Sequence, residues 1–99
     1  MKKEKILYQT ESITRYGCSY AKVIELEGKR FKLTHDTANG HSHTHILVQT
    51  PDLSWTGIAT EFDLNGKTSI NYVDYDYEKK EQMANIYKLS VEYIKKVCF

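Results

Sequence analysis

The chain has 99 residues, a formal net charge of +1 and a charged fraction of 27%. This length predicts one domain, residues 1–99, with a modest hydrophobic core. A net charge so close to zero gives no field that would attract nucleic acid or a membrane surface, so neither is expected as a direct partner. No signal peptide or bilayer-spanning run is recognisable, which predicts a cytoplasmic protein with reduced cysteines.

The first part of the chain predicts antiparallel strands. The predicted strands cover residues 6–9, 19–26, 30–36 and 41–49, whereas residues 13–16 are compatible with a strand or a turn. A two-residue Gly28-Lys29 turn of type II′ brings the apolar residues of strands 19–26 and 30–36 to one face. This register sets Leu26 opposite Phe31.

The dipeptide Asn39-Gly40 is a strong hairpin signal and predicts the next pair of strands. As a two-residue turn it matches the apolar residues of both strands on one face. The predicted cross-strand pairs are Phe31–Val48, Leu33–Ile46, Thr34–His45 and Asp36–His43. His35 then points to the apolar face.

Further on, Asn65-Gly66 predicts a third hairpin between residues 55–64 and 68–75, with two- and three-residue loops both open. From about Tyr77 to about Val97 the apolar period changes to that of a helix, with Asp76 as its N-cap. The predicted fold class is therefore α+β. It consists of an antiparallel meander of five or six strands within residues 5–75, with one C-terminal helix packed on a face.

Three of the four histidines alternate along one predicted strand, as His41, His43 and His45. Because side chains alternate across a strand, all three share a face, where neutral imidazoles bind zinc or another divalent transition metal. The outer two lie about 13–14 Å apart along an extended strand, which is too far for one compact ion to reach easily. We therefore expect a site centred on His43, with Asp36 from the neighbouring strand and one or both of His41 and His45.

Two further side chains are candidate ligands for the same ion. Cys18 would reach the histidine face if a β-bulge near Gly17 turned it there. His35 would reach it only if the Asn39-Gly40 loop had an odd number of residues, which would lose the apolar match. An imidazole left over, His41 in particular, could hold a second ion or complete a site in an oligomer, so the chain could be a monomer or a homodimer.

Catalytic motifs are not recognisable in this sequence. It contains no His-Glu-x-x-His motif, no glycine-rich phosphate loop and no nucleophile elbow. We therefore do not expect an enzyme. The alternative is a zinc-dependent hydrolase in which a metal-bound water acts beside Asp36 or Glu25.

Tyrosine is unusually frequent, with eight residues against one tryptophan and three phenylalanines. Tyrosine is enriched in protein interfaces. An acidic and aromatic stretch supplies a predicted partner-binding surface, formed by Tyr72, Asp74, Tyr75, Asp76 and Tyr77. Such a surface could enter the basic groove of a larger, nucleic-acid-processing protein.

In size and charge the chain resembles small phage or mobile-element proteins that block bacterial defence enzymes. This resemblance implies an inhibitor of a bacterial defence nuclease, acting in the host cytoplasm if it is phage-encoded. The histidine cluster adds the expectation that zinc stabilises it. No sequence motif identifies the partner.

Overall fold

Five antiparallel strands and one helix make up the structure, a computed structural model that describes residues 3–38, 41–66, 68–70 and 76–99. The elements are β1 (Lys5–Thr14), β2 (Gly17–Leu26), β3 (Lys29–Ala38), β4 (His41–Gln49), β5 (Trp55–Thr60), a 3-10 turn (Glu61–Asp63) and α1 (Asp76–Cys98). The strands lie in the order β1-β2-β3-β4-β5, so each pairs with its neighbour in the chain. This confirms the predicted α+β meander with one C-terminal helix.

One face of the sheet is apolar and packs with α1 around the core. Alternate residues of β2, β3 and β4 are buried on this face, as the period of a strand requires. The main apolar core residues are Ile24, Leu26, Phe31, Leu33, Ile46, Met83, Ile86, Val91 and Ile94. Val97, at the end of the predicted helix, is 51% exposed in the last turn of α1. We call the other side of the sheet, which carries the remaining alternate residues, the open face.

The β2–β3 turn differs from the prediction. Glu27 and Gly28 form the two-residue turn, with φ of 51° and 79°, and Ile24 pairs with Phe31. The predicted Gly28-Lys29 turn was therefore wrong, although the assignment of residues to faces was right. Two left-handed residues in succession give a type I′ turn, whose twist matches that of the strands.

The β3–β4 pairing agrees with the prediction at every predicted pair. Leu33 lies opposite Ile46 and Phe31 opposite Val48, while Asp36 lies opposite His43 on the open face. The Asn39-Gly40 turn itself lies outside the described residues. This register buries the apolar residues and places the histidines on the other side of the sheet.

The predicted third hairpin is wrong in the described part of the chain. β5 ends at Thr60, where the chain enters the 3-10 turn, and Thr68–Ile70 do not form a strand. The carboxylate of Asp63 accepts a hydrogen bond from the backbone N–H of Thr60 at 2.8 Å. This local bond competes with strand pairing and ends β5. Residues 71–75, which completed the predicted strand, lie outside the described residues.

Gly17, at the start of β2, provides a test of this packing. A Cβ atom at this position would overlap the carbonyl oxygen of Thr37 on β3, whereas a Cβ at Gly57 meets nothing within 4 Å. We expect Gly17→Ala to lower the free energy of unfolding by about 1–3 kcal/mol, because the β2 and β3 backbones would have to separate. Gly57→Ala is the matched control and should leave stability nearly unchanged. Equal urea midpoints for the two variants would contradict this packing.

Candidate functional site

The three alternating histidines lie on the open face of the sheet. His41, His43 and His45 are all exposed along β4, and the residues between them point to the helix side. Asp36 is exposed on β3, opposite His43, where the prediction placed it. The structure therefore places these four predicted ligands along one face of the sheet.

Glu61, which was not among the predicted ligands, lies next to His43 at the end of β5. β4 and β5 remain paired as far as His45 and Thr60, and the chain then turns into the 3-10 turn. One carboxylate oxygen of Glu61, Oε2, accepts a hydrogen bond from the backbone N–H of Thr44 at 3.0 Å. The other, Oε1, lies 3.8 Å from Nδ1 of His43.

The sequence carries a signal that could have located Glu61. Thr60 and Asp63 have the spacing of a capping box, which marks the start of a helical turn rather than the interior of a strand. The predicted strand over residues 55–64 runs through this segment, so the prediction missed the turn after Thr60. Ending the strand at Thr60 would have placed Glu61 next to the histidine strand.

Electrostatics keep the Glu61 side chain ionised. The hydrogen bond from the Thr44 backbone lowers the pKa of Glu61 from its usual value, against a smaller opposing effect of burial. The nearby imidazoles of His43 and His45 lower this pKa further. At neutral pH the carboxylate is therefore negatively charged and is held in one orientation.

The side chains of this face do not form a closed metal site as they stand. Within residues 3–38, 41–66, 68–70 and 76–99, no three His, Cys, Asp or Glu side chains lie close enough together to hold an ion. The metal site centred on His43 therefore stays a prediction.

His35 lies on the helix side of the sheet, where its exposed fraction is 1%. Its Nδ1 lies 2.8 Å from the Thr44 hydroxyl and its Nε2 lies 2.6 Å from the Thr37 hydroxyl. Its ring also stacks on Tyr20, with centroids 5.8 Å apart. Both ring nitrogens are thus hydrogen-bonded in the core, on the side away from His43.

Cys18 is also on the helix side, with an exposed fraction of 4%. β2 pairs with β3 from Gly17 onward without a bulge, so the thiol is not turned toward the histidines. Burial raises the pKa of the Cys18 thiol, against an opposing effect of the Lys79 ammonium. A buried, protonated thiol is a poor metal ligand.

The predicted partner-binding surface is only partly described. Tyr72, Asp74 and Tyr75 lie outside the described residues, whereas Asp76 and Tyr77 form the start of α1. The side chain of Asp76 is 80% exposed, and Tyr77 is 67% exposed. These two residues are thus accessible to a partner.

Comparisons with known proteins do not assign the chain to a family, because no protein-family model, curated protein or solved structure matches it significantly. Within the described ranges, no helix combines the length and the apolar character that crossing a bilayer requires.

The buried position of His35 makes stability depend on pH. Burial lowers the pKa of His35 to about 4 from the ordinary value of 6.5, an effect that the charges of Asp36 and Glu61 only partly oppose. Below pH 6.5 the unfolded chain therefore binds a proton at this residue that the folded protein does not. Stability contributed by neutral His35 is present above pH 6.5 and is lost progressively as the pH falls toward about 4.

We expect the free energy of unfolding to be about 1–2 kcal/mol lower at about pH 5 than at about pH 7, as measured by urea denaturation. His35→Gln should remove most of this difference, whatever its effect on stability at neutral pH. His41→Gln changes an exposed imidazole on the open face and serves as the control, which should keep the difference. An undiminished pH effect in His35→Gln would contradict this assignment.

Proposed function

We propose that the protein is a small protein-binding module that inhibits a larger nucleic-acid-processing enzyme, in its most specific form a bacterial defence nuclease. The observation that carries this proposal is the exposure of Tyr77 next to carboxylates at the start of α1. We call Asp76, Tyr77, Glu78 and Glu81 the helix-start surface.

The charges of the helix-start surface favour a basic partner. The negative charge of Glu78 raises the pKa of Tyr77, and Glu81, one helical turn further on, adds to the effect. Asp76 lies 3.9 Å from the Lys79 ammonium, which partly neutralises it. Glu78 and Glu81, with the exposed Lys80 between them in the chain, leave the surface with a small negative charge, and complementary charge accelerates association with a basic groove.

Tyr77 supplies the contact area that charge alone lacks. A tyrosine ring offers a large apolar surface with a polar tip, and such residues often dominate the free energy of binding. The Tyr77 hydroxyl donates a hydrogen bond to Oε1 of Glu78 at 3.3 Å, which places a carboxylate beside the polar tip of the ring. The positive charge of a nuclease groove that binds nucleic acid complements the negative charge of this surface.

A zinc ion, or another divalent transition metal, stabilises the module in this proposal. A metal that binds only the folded chain raises the free energy of unfolding. This contribution is important in a domain of this size, because a small domain buries a smaller fraction of its surface on folding. The exposed imidazoles of β4 and the ionised carboxylate of Glu61 support this part of the proposal.

The test is inhibition of DNA degradation by bacterial lysates, followed by purification of the inhibited enzyme. We expect the combined variant Tyr77→Ala and Glu81→Gln to lose about tenfold or more in potency, because it removes an aromatic contact and a charge. The loss should shrink at high salt, since the charge contribution is screened there.

The matched control is Leu53→Ser, which changes a 72% exposed apolar side chain in the β4–β5 turn. This variant should inhibit as the wild-type protein does. Equal potency of the helix-start variant and the wild type would contradict the proposed surface, and failure to inhibit any nuclease would contradict the proposed function.

A further inference from the structure

We infer that Glu61, rather than Asp36, is the carboxylate ligand of a zinc site completed by His43 and His45. The inference rests on the zinc part of the proposed function and specifies its ligands. It does not depend on which protein the module binds.

The distance between His43 and Glu61 is the first argument. Nδ1 of His43 lies 3.8 Å from Oε1 of Glu61, which is longer than a hydrogen bond. Two ligand atoms on a tetrahedral zinc ion, with bonds of about 2.0–2.1 Å, are about 3.3–3.5 Å apart. A shift of about 0.5 Å, within the reach of a side-chain torsion, would therefore let one ion bridge these two atoms.

The orientation of the Glu61 carboxylate is the second argument. Its Oε2 accepts the backbone N–H of Thr44 at 3.0 Å, and this bond leaves Oε1 directed toward His43. A ligand that is already fixed by a hydrogen bond through its other oxygen loses little freedom when it binds metal. The backbone of β4 thus positions the carboxylate for the ion.

His45 is the third ligand because of its place in the sheet. It shares the open face with His43, about 6.8 Å further along the strand at two residues' rise, and both imidazoles reach one ion from that spacing. His45 also pairs with Thr60, the residue directly before Glu61. Rotation of the exposed His45 side chain completes the set, and the solvent-facing side leaves the fourth coordination position to water.

Asp36 is less well placed for this ion. It lies on β3, so it approaches His43 from the opposite side of β4 to Glu61. Among the described residues, Nδ1 of His43 lies within 4 Å of a carboxylate oxygen of Glu61 and of none of Asp36. Asp36 is exposed, and no hydrogen bond in the described part of the chain orients its carboxylate.

The experiment is a calorimetric titration of the untagged, metal-free full chain with Zn²⁺. We expect one ion per chain and an affinity at least tenfold weaker in Glu61→Gln. Glutamine keeps an acceptor for the Thr44 N–H but loses the charge, so the local fold should be retained. Asp36→Asn is the matched control and should bind as tightly as the wild type.

Two further variants keep the test decisive if Glu61→Gln unfolds. His43→Gln and His45→Gln change exposed side chains, and each should weaken zinc binding at least tenfold while the circular dichroism of the metal-free chain stays unchanged. Wild-type affinity in His45→Gln would overturn the inference.

The remaining outcomes separate this inference from the proposed function. Weakened binding in Asp36→Asn with wild-type binding in Glu61→Gln would overturn the ligand assignment and leave a zinc site in place. Absence of saturable binding to the wild-type chain would overturn the inference together with the zinc part of the proposal. Neither result changes the inhibition test of the helix-start surface.

Discussion

Leu33 on β3 lies opposite Ile46 on β4, and both side chains are buried in the core that α1 shares with the sheet. Because the side-chain period of a strand is two, slipping this pair by one residue would turn Ile46 and Val48 outward. The same slip would bury the ionisable His43 and His45 against the helix, at a large cost in desolvation. The burial of this pair therefore determines where the histidines lie.

The core is not purely apolar, and its polar part depends on the same register. His35 and Thr44 face each other across β3 and β4, so the buried imidazole finds hydroxyl partners within the sheet. A buried polar group is tolerated when its hydrogen bonds are satisfied, and such networks favour one pairing over others. Thr44 also uses its backbone N–H to hold Glu61, which links the core network to the open face.

The sequence was sufficient to predict the fold class and the β3–β4 pairs, because hydrophobic alternation fixes which residues share a face. It was insufficient at the β2–β3 turn, where moving the turn by one residue preserves those faces. The position of this turn depends on Glu27 adopting a left-handed backbone conformation, which the hydrophobic pattern does not indicate. In the candidate site, the sequence predicted the histidines but not Glu61.

The histidines of that site lie within one strand, so alternation alone places them. Glu61 reaches them because the chain turns after Thr60. At this turn the backbone N–H of Thr60 donates a hydrogen bond to the side chain of Asp63. A short-range polar contact of this kind overrides strand propensity without changing the apolar pattern. Carboxylates supplied by turns are for this reason harder to assign from sequence than histidines on strands.

The proposed zinc site requires that the β3–β4 register and the turn after β5 bring His43 and Glu61 to one point. Crystals of the full chain grown with zinc, measured on both sides of the zinc absorption edge, test this directly. We predict one strong anomalous peak between Nδ1 of His43 and Oε1 of Glu61, with His45 turned toward it. A peak bound by Asp36 away from Glu61, or no peak on the open face, would contradict the proposed zinc site.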